Sequence, residues 1–70
     1  VQIQEHDTVA LLEDVSAESL HRGDVGAVVH VYANGATFEV EFLDVRRKTK
    51  CVATVPTSKL MRLNVLSLSA

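Results

Sequence analysis

Hydrophobic and polar residues alternate most cleanly between Val25 and Phe42, in two runs that meet at Asn34-Gly35. That dipeptide tolerates the positive φ angles of a type I′ turn, so the segment predicts a β-hairpin. With Asn34 and Gly35 as the loop, Ala33 faces Ala36, Val31 faces Phe38, Val29 faces Val40 and Ala27 faces Phe42, and every pair is apolar. The alternate positions, Tyr32 with Thr37, His30 with Glu39 and Val28 with Glu41, make a largely polar face. A slip of one residue would exchange the two faces, so turn chemistry and periodicity select the same register.

Alternation resumes from Lys48 to Val55, with Cys51, Ala53 and Val55 on one face, and predicts a second hairpin around a loop at Asp44 to Arg47. An even loop sets Val40 opposite Cys51, Phe38 opposite Ala53 and Glu41 opposite Lys50, so small side chains lie beside large ones. Asp7 to Leu12 reads as a first strand with Val9 and Leu11 inward. The long connection from Glu13 to Arg22 holds one helical turn capped by Ser16, sends Leu20 into the core, and closes at Gly23-Asp24. Pro56 ends the fourth strand, Thr57 to Lys59 suits a 3₁₀ turn, and Leu60 to Leu63 form a fifth strand.

The predicted fold is therefore all-β, a small five-stranded SH3-like barrel with a long first connection and a 3₁₀ turn before its last strand. Its expected core is Val9, Leu11, Leu20, Val29, Val31, Phe38, Val40, Phe42, Cys51, Ala53, Val55 and Leu60. The whole chain, 1–70, reads as one domain, with the barrel over about 5–63 and an apolar tail over 64–70. Leu63, Val65, Leu66 and Leu68 make that tail a candidate homo-oligomer contact, because an apolar edge needs covering.

Composition narrows the function. Seventy residues, 47% hydrophobic and 23% charged, make one thin core. A chain this short removes about 60% of its unfolded surface from water, which leaves little room for a water-excluding catalytic cavity. An enzyme is the least expected class. The single cysteine forms no intrachain disulfide, and with no signal-like start or run of ~18 apolar residues the reading is a cytoplasmic protein with no membrane partner. Cys51 points inward while His30 points outward, so the two do not form a nucleophile and base. His6, His21 and Cys51 match no metal-ligand spacing, and no cofactor is implied.

Charge is strongly segregated. All nine acidic residues precede residue 45, and six of the seven basic residues follow it. Glu13, Asp14 and Glu18 make the long connection acidic, and with the strand face around His30 and Tyr32 they form the candidate site for a protein partner, a basic one by complementarity. The alternative reading is nucleic-acid binding by Arg46, Arg47, Lys48 and Lys50 at the second hairpin tip. A net charge of -2 and the absence of a stacking platform weigh against it.

Glu5-His6-Asp7-Thr8-Val9, Leu20 to Tyr32 and Phe38-Glu39-Val40-Glu41-Phe42 resemble a bacterial family of uncharacterised small SH3-like barrel proteins. The likeness covers about residues 4 to 63, and the tail beyond Leu63 departs from it. It implies the fold; the family's expected neighbourhood of small toxins and mobile elements further implies an antitoxin-like or immunity-like role. Gly23 to Val29 is also similar to the KOW motif, in which a glycine-centred loop meets RNA. Both glycines have an architectural reading as well, Gly23 at a turn and Gly26 where the backbone bends.

Overall fold

The computed structural model describes residues 2–64. Five strands, β1 (Thr8–Leu11), β2 (Val25–Tyr32), β3 (Thr37–Leu43), β4 (Thr49–Pro56) and β5 (Leu60–Arg62), form one antiparallel sheet in the order β4-β3-β2-β1-β5. There is no α-helix among the described residues, but 3₁₀ turns occur at Ser16–Glu18, Ala33–Gly35 and Thr57–Lys59. The sheet is not closed: β4 and β5 are its edges, and no ladder joins them. It is nevertheless curled, because Ala53 and Val55 of β4 and Leu60 of β5 belong to one apolar cluster with Val9, Leu11, Leu20, Val28, Phe38, Val40 and Phe42.

The first hairpin keeps the predicted register only near its turn. His30, Val31 and Tyr32 oppose Glu39, Phe38 and Thr37. Beyond a β-bulge between Val28 and His30, Val28 opposes Val40, Ala27 opposes Glu41 and Gly26 opposes Phe42. The extra residue is Val29, so this expected core position lies 41% exposed and Val28 is fully buried instead. At the turn, Asn34 (φ 57°, ψ 34°) and Gly35 (φ 95°) have the positive φ values of type I′, and the Ala36 N–H donates to the Ala33 carbonyl at 3.2 Å. Ala33 also has positive φ, at 50°, so Ala33 and Ala36 belong to the turn rather than the ladder.

The second hairpin has the expected faces but different partners: Phe38 opposes Val55, Val40 opposes Ala53, Glu41 opposes Val52 and Phe42 opposes Cys51. A shift of two residues keeps every side chain on its own face, so alternation could not detect it. The loop decides it. The Asp44 carboxylate accepts the N–H groups of Arg46 at 2.8 Å and Lys48 at 3.0 Å, while the Asp44 N–H donates to the Lys48 carbonyl at 2.8 Å. Arg47 takes a left-handed φ of 63°, and a second bulge puts Leu43 opposite Thr49.

Leu20 is buried as expected, held by paired hydrogen bonds with Val15. Ser16 does not cap its 3₁₀ turn: the capping position is Val15, with no side-chain bond. Val31 and Cys51 are half-buried against the core, and Ala10 is buried on the opposite face of β1. Leu63 extends β5, its N–H donating to the Thr8 carbonyl at 2.8 Å; Val65, Leu66 and Leu68 lie outside the described residues.

Gly26 is the tightest point of the sheet. A Cβ there would stand 2.6 Å from the Glu41 carbonyl oxygen and 2.8 Å from Val40 Cγ1, so the close approach of β2 to β3 excludes any side chain. Gly26→Ala is expected to cost about 1–3 kcal/mol in urea melts through backbone displacement. Gly35→Ala, with open space around it, should cost about 1–2 kcal/mol through its positive φ alone. The bulge makes a paired prediction: Val29→Thr should stay within about 0.5 kcal/mol of wild type, whereas Val28→Thr should lose about 1–3 kcal/mol by burying a hydroxyl. Equal losses would contradict the observed register.

Candidate functional site

The far half of β2 presents its alternate residues to solvent. His30 and Tyr32 oppose Glu39 and Thr37, so both side chains leave the sheet on the face opposite Val31 and Phe38. Their rings pack edge-to-face, with centroids 4.5 Å apart and planes at 65°. Glu39, directly across from His30, accepts the Thr54 hydroxyl at 2.7 Å. Beside this ring pair the bulge turns Val29 outward, giving an exposed aliphatic and aromatic surface.

Around the corner the same end of the sheet is concave. A depression of ≈ 510 Å³ is lined by apolar Ile3, Val31 and Leu60 together with polar residues that include Glu5, Asn34, Thr57 and Arg62. Sequence reasoning missed it, although Ile3, an isolated apolar residue between glutamines, was a signal. The Arg62 Nε donates to Asp7 Oδ2 at 3.0 Å, and the same carboxylate oxygen accepts the Gln4 N–H at 2.8 Å, which holds the amino-terminal segment over the sheet.

The acidic connection is partly absorbed by the fold. Glu13 lies 3.6 Å from the Lys59 ammonium, and Asp14 accepts the Arg22 N–H at 2.8 Å. Glu18 sits exposed in the first 3₁₀ turn, with no ion pair among the described residues. Lys59 leads back to Thr57, whose N–H bonds the Ala36 carbonyl at 3.0 Å. A chain of contacts thus runs from Glu13 through the third 3₁₀ turn to the β2–β3 turn beside Tyr32.

The four candidate cations divide. Lys50 does not meet Glu41, which instead accepts the Thr49 hydroxyl; it pairs with Asp24 at 3.5 Å. Arg46, Arg47 and Lys48 project from the β3–β4 tip without a carboxylate partner among the described residues. Val45, which precedes them in the tip, is 100% exposed. Cys51 lies inward on β4, on the opposite face from His30, and among the described residues no three His, Cys, Asp or Glu side chains converge. No helix among those residues is long and apolar enough to cross a membrane.

Asp24 closes the long connection. Its carboxylate accepts the His21 N–H at 2.9 Å, and this bond, aided by the Lys50 ammonium, holds its pKa below the usual carboxylate value of 3.8. A lowered folded pKa stabilises the fold above the unfolded value, and the contribution disappears as pH falls through the folded value. The difference in urea midpoint between wild type and Asp24→Asn is therefore expected to be constant near neutrality. It should shrink only below about pH 4.

No curated protein matches the chain, and neither does any solved structure. Residues 5–62 match the family described as a domain of unknown function (DUF4926), a span covering most of the sequence, and the chain belongs to that family.

Proposed function

We propose that this protein is a non-catalytic, SH3-like binding module that recognises a protein partner through the far half of β2. The observation that carries this reading is the bulge at Val29. It leaves a β-branched residue 41% exposed beside Tyr32, itself 42% exposed, in the middle of a sheet whose regular register would bury that valine. Bulges recur where a side chain is re-aimed toward a binding site, and a clustered aliphatic and aromatic surface is the composition of protein contacts. The edge-to-face contact with His30 limits the motion of Tyr32, which lowers the entropy lost on ordering it in a complex.

Two further features favour a polypeptide ligand. The depression beside Val31 and Asn34 adds a concave margin to the same end of β2, and the Glu13 side of the long connection reaches toward it through Lys59 and Thr57. The SH3-like reading draws on the strand order β4-β3-β2-β1-β5 and the 3₁₀ turn between the last two strands in sequence.

In-cell photo-crosslinking tests the reading. A photoreactive residue at Tyr32 is expected to give one discrete heterologous adduct, absent when the same group replaces exposed Arg22. Val29→Asp in the Tyr32 background should reduce that adduct at least about tenfold by placing a charge in an apolar contact. Adducts of equal yield from both positions, or a Tyr32 adduct insensitive to Val29→Asp, would remove this surface.

A further inference from the structure

The opposite half of the outer face carries a second apolar surface, assembled from four strands. Val9 and Leu11 enter the core, so Ala10 between them faces outward, and the ladders set it between Val25 of β2 and Met61 of β5. The Gly26–Phe42 pairing carries Val25 up to Leu43 of β3. Met61, Ala10, Val25 and Leu43 therefore form one row across the sheet, with Leu12 continuing the β1 side. All but Ala10 are exposed, between 37% and 49%.

The two loops that flank this row are oppositely charged. From its β1 side springs the connection bearing Glu13, Asp14 and Glu18; from Leu43 springs the tip bearing Arg46, Arg47 and Lys48, preceded by fully exposed Val45. Both loops leave the sheet at the same end of β2, where Lys50 and Asp24 join their bases at 3.5 Å. The tip is a built element, since the Asp44 carboxylate holds the N–H groups of Arg46 and Lys48.

We infer that this face binds a second copy of the chain, row against row, with the basic tip of each copy on the acidic connection of the other. A twofold axis through the middle of the row brings about that exchange, because it superimposes the Leu43 end of one copy on the Met61 end of its partner. Such an interface is self-complementary, each contact occurring twice. It gives the three tip cations opposite charges that no ion pair among the described residues supplies. A basic partner of another kind would cover the acidic connection but leave the tip unmatched, and a nucleic acid would meet the tip but not the acidic side.

Sedimentation and light scattering on two charge-reversed variants decide the matter. One carries Arg46→Glu with Lys48→Glu; the other carries Glu13→Lys with Glu18→Lys, sparing the structural Asp14. Wild type is expected to dimerise, more weakly at high salt. Each variant alone should dimerise at least about tenfold more weakly, since like charges then face each other. An equimolar mixture of the two should recover a heterodimer, because acidic tip meets basic connection and basic tip meets acidic connection. That recovery is independent of any loss caused by misfolding, which circular dichroism of each variant monitors. A monomeric wild type at its highest soluble concentration, a dimer indifferent to both reversals, or a mixture that fails to recover although both variants are folded would overturn the inference.

Discussion

Strand β2 has to serve two ladders at once, and the rest of the fold follows from how it manages this. Residues Val25 to Ala27 pair with β1 while Gly26 to Tyr32 pair with β3, so Gly26 is flanked by Val9 on one side and Phe42 on the other. Curling the sheet enough to bring Leu60 and Val55 into one core draws the β2 backbone onto β3 at that point. The space left is smaller than a methyl group, and the residue there is glycine. Three residues later the bulge at Val29 resets the ladder, increases the local twist and restores the register dictated by the Asn34-Gly35 turn. The feature that relieves the strand also creates the exposed surface beside His30 and Tyr32.

Charge separation along the chain has a similar double outcome. Asp7 with Arg62, Glu13 with Lys59, and Asp24 with Lys50 each join an acid from the first half to a base from the second. Individually such surface pairs contribute about 0–1 kcal/mol. Their larger effect is to consume charges that look available in the sequence. Lys50 leaves the basic cluster and Glu13 is shared, so among the described residues the cations without an ion pair are Arg22 and the three residues of the β3–β4 tip.

The all-β class, the five strands, both hairpins and the 3₁₀ turn before β5 were legible because period-two alternation and turn residues are local signals. Leu20 was legible as well, a lone large apolar residue in a polar connection. The exchange of Val29 for Val28 was not, since two adjacent valines satisfy either face and nothing local says which is the extra residue. Nor was the partner shift in the second hairpin: moving β4 by two residues preserves its faces, and the registers are distinguished by the hydrogen bonds that Asp44 makes within the loop and by the Glu39–Thr54 contact across the strands. How far the five-stranded SH3-like barrel expected from strand number closes was not legible either: the sheet is open between β4 and β5, and closure depends on the relation of these two strands, which no local pattern encodes.

Taken alone, the amino-acid sequence determined which segments are strands, where the chain turns, and which face of most strands is apolar, because those properties depend on neighbours within a few residues. Tertiary structure decided what stands beside what. Met61, Ala10, Val25 and Leu43 are separate, ordinary positions along the chain and become a continuous row only when four strands align. Glu13 and Lys59 become partners only when the 3₁₀ turn folds back on the long connection. Surfaces of this kind depend on register and curvature, which arise from long-range packing.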